Sequence, residues 1–223
     1  QDAVIREDDC ETTKGVLVEE IIESATRGWA GSEEPLVPPR VIESDGSPGR
    51  FYAVDAPSLE GWIAIGRAGG AVPESDQAAL SVLRFILAER LNIAVREMRG
   101  LANRDDFQIP VTGSGSGLLH IRTGGRPEAV APLIRFSLDE VERIHDPSEP
   151  VTDTEVGRAQ DWLLGAVWQR SLEAATSATG TFALEHLRRG STARLTGWPA
   201  AVRSVTAPDI KAIAQRHLDP TTL

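Results

Sequence analysis

Ala78-Ala79-Leu80-Ser81-Val82-Leu83-Arg84-Phe85-Ile86-Leu87 is apolar on nearly every side of a helical wheel. A surface helix carries one apolar stripe, so this pattern predicts a helix covered on both faces. The flanking segments supply the cover. Upstream, Trp62-Ile63-Ala64-Ile65-Gly66 reads as a strand closed by Gly69-Gly70. Val41-Ile42 and Phe51-Tyr52-Ala53-Val54 read as strands around the turn Asp45-Gly46-Ser47-Pro48-Gly49. Downstream, a second helix runs through Leu91, Ile93, Ala94, Val95 and Met98, with Gly100 as its C-terminal cap. Phe107, Ile109 and Val111 then alternate, Gly113-Ser114-Gly115-Ser116-Gly117 turns the chain, and Leu119 and Ile121 alternate again. That is a hairpin.

The remainder is helical. Val130, Leu133, Ile134, Leu138, Val141 and Ile144 recur at helical spacing until Pro147 and Pro150 break the run. Thr152 and Glu155 form the capping-box pattern that opens the next helix, through Val156, Ala159, Leu163, Ala166 and Val167. A further helix covers about residues 177–189, and the last runs from Thr206 through Ile210, Ile213, Ala214 and Leu218. Tight turns between strands favour an antiparallel sheet, and strict strand–helix–strand alternation is missing. The expected class is α+β: a two-layer sandwich, mainly antiparallel, with helices packed on one face.

Residues 1–37 stand apart. Ala3-Val4-Ile5 has strand character, and Val16, Leu17, Ile21, Ile22 and Ala25 form a helical stripe ended by Gly28, Trp29 and Gly31. Glu33-Glu34-Pro35-Leu36-Val37-Pro38-Pro39 cannot continue a helix and reads as an extended linker. The division expected is therefore a 1–37 tail of a preceding domain, and a 38–223 main domain. An opening without Met suggests a chain cut from something longer.

Composition narrows the function. The 223 residues are 41% hydrophobic and 25% charged, an ordinary globular balance. A net charge of −10 argues against nucleic acid, which needs a basic stripe. No apolar run approaches the ~20 residues of a membrane span. A single cysteine, Cys10, cannot form an internal disulfide.

The helical zinc motifs need two histidines one turn apart, but His120, His145, His186 and His217 are at least 25 positions apart, which leaves a zinc site assembled from distant residues as the lesser alternative to surface or core histidines. His120 has the parity opposite to Leu119 and Ile121, which places it on the less buried face of its strand. The Gly113–Gly117 loop resembles a nucleophile elbow only superficially, because its centre is Gly115 and a strand follows. The doublets Asp8-Asp9, Glu19-Glu20, Glu33-Glu34 and Asp105-Asp106 point apart on any regular element and read as solvated surface. Trp162, Trp168 and Trp198 suit core anchors better than a groove. Composition and spacing stop at a domain lacking self-contained catalytic machinery.

The order of motifs resembles the C-terminal, non-catalytic domain of the insulinase/pitrilysin/mitochondrial-processing-peptidase superfamily of zinc metallopeptidases. Its carriers are Trp62–Gly66, Asp76-Gln77-Ala78-Ala79-Leu80 and Val95-Arg96-Glu97-Met98-Arg99-Gly100-Leu101-Ala102, which is similar to the family's L-R-E-K-R-G-L-A-Y. Pro150-Val151-Thr152-Asp153-Thr154-Glu155-Val156-Gly157-Arg158-Ala159 resembles V-T-x-x-E-L-x-x-A-K. Val205-Thr206-Ala207-Pro208-Asp209-Ile210 and His217-Leu218-Asp219-Pro220 resemble V-T-x-x-D-I and Y-L-x-P. The Gly28-Trp29-Ala30-Gly31 ending is similar to that of exported bacterial relatives, which favours the periplasm over the cytoplasm.

The resemblance implies a domain that pairs, in cis or in a partner subunit, with a catalytic H-x-x-E-H domain to enclose a peptide. Zinc would belong to that other domain, and none to this chain. The chain alone would cleave nothing, and a homo- or heterodimer is compatible with the family. Substrate is usually held by an arginine and a tyrosine seven positions apart. Arg96 matches the arginine, and Asn103 stands where the tyrosine would be. Asn lacks the phenol and its reach. An ion pair of Arg96 with Glu97 or Asp105 is an equal reading. Leu87-Ala88-Glu89-Arg90-Leu91 also lacks the family's glycine-rich stretch. These losses fit a structural relative, like core subunits of respiratory complexes, that binds no peptide.

Overall fold

The computed structural model describes residues 51–54, 58–69, 72–108 and 117–223. The expectations for residues 1–37, Val41-Ile42, and the Gly113–Ser116 part of the turn lie outside the described residues. Phe51–Val54, expected as a strand, has no regular secondary structure, and Phe51, Tyr52 and Val54 are exposed. A β-rich composition alone does not make a strand without a ladder to join.

Among the described residues three strands form one sheet in the order β1-β3-β2: β1 Gly61–Gly69, β2 Ala102–Gln108 and β3 Gly117–Gly125. Both neighbouring pairs are antiparallel. β1 and β2 therefore run the same way, joined by a helical crossover, with β3 inserted between them. The hairpin reading holds for β2 and β3, with β2 beginning earlier, at Ala102.

Ile63 and Ile65 of β1 lie opposite Thr123 and Ile121 of β3 on one face, where Ile63, Thr123 and Ile121 are buried. On the other face Trp62 is half exposed, and the Arg122 guanidinium lies 5.0 Å from its ring centre. Pleating alternates the two sets, so one strand sequence serves core and solvent.

The long apolar stretch is α1, Gln77–Leu91, and it is the axis of the fold. Leu80, Val82, Leu83, Ile86 and Leu87 are all fully buried. They pack with α2 (Val130–His145), α3 (Asp153–Trp162), α6 (Ala193–Arg203) and α7 (Ala207–His217) through Val141, Ile144, Ala159, Val202, Ile210 and Ala214. Between α3 and α6 lie a π-helical stretch, Leu163–Gln169, then α4 (Arg170–Glu173) and α5 (Ala175–Arg189). A smaller core of Ile63, Val95, Ala102 and Leu133 joins the sheet to α2 and to the end of α1.

Two expectations need correction. The second helix beyond Leu91 is a continuation: Asn92–Glu97 is a π-helical turn on the end of α1, without a break. Apolar spacing there drifts from 3.6 because each bond spans five residues. Helix α6 was not anticipated, since Gly197 and Pro199 look like breakers. Its signal was Leu195, Trp198 and Val202 at helical spacing; Leu195 and Val202 are buried and Trp198 packs on the core.

Candidate functional site

The π turn and the strand after it carry the residues of interest. Met98 N–H donates to the Ile93 carbonyl over 3.0 Å, the wide ring of a π turn. Leu101 N–H reaches back to Val95 and Gly100 N–H to Arg96, both over 2.8 Å. Gly100 adopts φ +59°, the left-handed conformation that a side chain resists, and so reverses the chain into β2. β2 bulges at once: Ala102 pairs with Gly125 and Arg104 with Gly124, leaving Asn103 as the extra residue. Gly125 is obligatory for another reason, because a Cβ there would sit 2.0 Å from the Leu101 carbonyl oxygen.

Arg96 lies on the π turn with its side chain 54% exposed, and its Nε stands 3.8 Å from Glu97 Oε1. That distance is a Coulomb contact rather than a hydrogen bond. The guanidinium keeps donors toward solvent, which suits a carbonyl or carboxylate. Asn103 and Asp105 are placed here by their backbone alone: seven and nine positions on, along β2.

On the opposite flank of the same turn lies a cleft of about 510 Å³. The π period aligns Ile93 with Met98 and Ala94 with Arg99 along one wall. Phe136 and Glu140 of α2 make the other wall, and Glu149-Pro150 its rim. Arg99 donates to the Ala94 carbonyl at 2.5 Å and stacks on Phe136, 4.1 Å from the ring centre. Arg90 forks onto Glu155 at 2.7 and 3.0 Å and also bonds the Pro150 carbonyl. Burial pushes the Glu155 carboxyl up, but the Arg90 and Thr152 hydrogen bonds outweigh it and hold it down at about 2. Glu140 is buried and meets Arg143 at 3.0 Å; burial dominates, and its carboxyl is pushed above the usual range. The sequence carried one signal for Glu140: it shares the buried stripe of Leu133, Ser137, Val141 and Ile144.

Elsewhere the polar chemistry is structural. Buried Asp76, before α1, accepts from Arg216 at 2.6 Å and lies 2.9 Å from His217 Nε2, tying the ends of α1 and α7 together. His120 is half-buried on the outer face of β3, and Trp162 is half exposed with its ring tilted against Phe85. Among the described residues no three of His, Cys, Asp and Glu cluster as a metal cage, so these side chains do not fit a zinc ion.

No family model matches the sequence, and no curated protein does. Solved structures match the fold. The inactive domain of an M16 peptidase from Pseudomonas fluorescens superposes with a TM-score of 0.62 at 22% identity, over 75% of this chain and 40% of that one. The inactive peptidase domain of a candidate zinc protease from Bordetella parapertussis gives 0.64 at 18%, over 77% and 93%. A protease from Helicobacter pylori gives 0.70 at 19%, over 93% and 50%. This is the fold of the M16 inactive domain. The chain spans half or less of the Pseudomonas and Helicobacter proteins. The four histidines lie apart in this fold, on β3, α2, α5 and α7. No helix of the described residues is long and apolar enough to cross a membrane.

Proposed function

We propose that this chain is the non-catalytic half of a zinc metallopeptidase. It closes a peptide chamber against an H-x-x-E-H domain in cis or in a partner subunit, and holds substrate through Arg96. The residues after 37 form the inactive domain proper, as one sandwich with helices over a single sheet face. The carrying observation is the likeness to two inactive peptidase domains, one of them matched over 93% of its length. Arg96 supports the peptide-holding part, since its exposed guanidinium meets Glu97 at 3.8 Å, beyond hydrogen-bond distance. Zinc and the cleaving water belong to the other half; this chain contributes binding and enclosure.

A second reading, a scaffold that binds no peptide, is favoured by one observation: Asn103 stands seven positions after Arg96, where the family places a phenol. The two are separated in the complete peptidase. Arg96→Ala is expected to weaken peptide binding about tenfold, the loss of one charge-assisted contact. Unchanged affinity would assign Arg96 to structure and leave the scaffold. Elemental analysis of the 223-residue chain is expected to find no stoichiometric zinc. Chelatable zinc at one per chain, with proteolysis lost on its removal, would overturn the non-catalytic assignment.

A further inference from the structure

We infer that Arg99 and Arg135, gathered at the Phe136 ring, form a clamp for a peptide carboxylate, on an acidic side chain or at a chain end. This deepens the peptide-holding reading and rests on it for its biological setting, while the clamp itself is tested on the chain alone. Arg96 has no part in it, since its contact is with Glu97.

Geometry brings the two cations together. The Arg99 guanidinium stands 4.1 Å from the centre of the Phe136 ring, and that of Arg135 stands 4.7 Å from the same centre. The two charges are therefore no more than about 9 Å apart, close enough to repel. Phe136 is half-buried on α2, and both arginines are exposed. The negative faces of the ring attract each cation, but they do not cancel the repulsion between the two. In a chain of 33 acidic and 23 basic residues, two cations at one ring are not what composition favours.

Nearby carboxylates do not account for the pair. Asp139 lies four positions after Arg135 on α2, a spacing at which opposite charges meet, yet among the described residues the two make no ion pair. Glu140 is paired with Arg143 at 3.0 Å, and Arg99 acts on it across a longer distance. Arg99 gives one donor to the Ala94 carbonyl, and the described contact of Arg135 is the ring. Most of the N–H donors of two guanidinium forks are thus left for one acceptor site. A carboxylate offers two oxygens that match such a fork, and it carries the charge that relieves both cations. An amide carbonyl accepts hydrogen bonds but relieves no charge. A lysine or arginine would add a third cation, and an apolar side chain meets a ring that two guanidiniums already cover.

The 223-residue chain, isotope-labelled at its arginines, is titrated with N-acetyl-glutamate amide, whose carboxylate is on the side chain, and with N-acetyl-alanine, whose carboxylate is terminal. N-acetyl-glutamine amide is the neutral isostere. Arg99→Gln and Arg135→Gln assign the two Nε–H resonances by their disappearance. The expected result is a saturable shift of both resonances with a carboxylate, about tenfold weaker with the glutamine compound. The tighter of the two acids identifies the source. Either glutamine variant should weaken binding about tenfold at the resonance that remains, and Arg135→Lys, which keeps the charge without the fork, should retain part of it. Arg96→Ala should leave both shifts unchanged, which separates failure of the clamp from failure of the Arg96 reading. No saturable shift, equal binding of the glutamine compound, or full binding by either glutamine variant would overturn the inference. So would loss of binding in Arg96→Ala.

Discussion

Glu155→Gln tests the join between α1 and α3. Glu155 accepts both prongs of Arg90 and also completes the capping box, taking 2.9 Å bonds from the Thr152 amide and hydroxyl. The side chains are 19% and 16% exposed, so the pair is shielded without being sealed. A carboxyl held at about 2 against an ordinary 4.5 corresponds to roughly 3 kcal/mol of folding linkage if nothing is screened. Solvent at the edge reduces that to about 2 kcal/mol. The amide keeps the shape and one acceptor but loses the charge. We expect a destabilisation of about 2 kcal/mol at pH 7, read as a Tm lower by roughly 4–8 °C for a chain of this size.

The pH dependence is the sharper half. A depressed carboxyl stabilises the fold fully above its unfolded value, and that contribution is lost as pH falls from about 4.5 toward 2. Gln does not titrate. The stability gap between the wild-type chain and Glu155→Gln, measured by urea unfolding, should therefore hold from pH 7 to 5. It should lose roughly half of its size or more by pH 3. A gap that stays constant to pH 3, or one below about 0.5 kcal/mol at pH 7, refutes the assignment of the charge to this joint.

Gly125→Ala places a Cβ 2.0 Å from a backbone oxygen that cannot swing away, so thermal unfolding should show a loss above ~3 kcal/mol or no folded protein. Gly157→Ala, inside α3 with nothing within 4 Å of the new methyl, should instead gain about 0.5–1 kcal/mol by the same measurement. Arg194→Ala removes the fork that reaches Glu185, 6% exposed, at 2.6 and 2.8 Å; about 2 kcal/mol should be lost. Adding Glu185→Gln should recover part of that loss, because a neutral amide is buried at less cost than a carboxylate.

Local sequence carried the signals that depend on neighbours. The Thr152–Glu155 capping box forms as its spacing requires, and Thr206 caps α7 with Asp209 in the same way. The apolar surround of α1 corresponds to four helices packed around it. What was not legible is what depends on distant partners. Glu155 looks like a capping residue and nothing more until Arg90, 65 positions away, forks onto it. Asp76 gives no hint of Arg216 and His217, which lie 140 and 141 positions on. The continuity of α1 into a π turn was hidden for a different reason: the five-residue period there mimics a break in a 3.6-residue pattern.

The spacing of seven between Arg96 and Asn103 acquires a physical meaning from the backbone. Between them the chain leaves the π turn, reverses through Gly100 in the left-handed region, and enters β2 with a bulge at position 103 itself. These are fixed by the Leu101-to-Val95 hydrogen bond, by a residue without Cβ, and by pairing on both sides of the bulge. A bulge re-aims a side chain where a regular strand would bury or bond it. The backbone at position 103 is therefore held by its neighbours along the chain and across the sheet. The flank of the same turn that bears the Glu140 cleft is set by the same π geometry. Any device that keeps residues 93–98 wound as they are serves both sides at once.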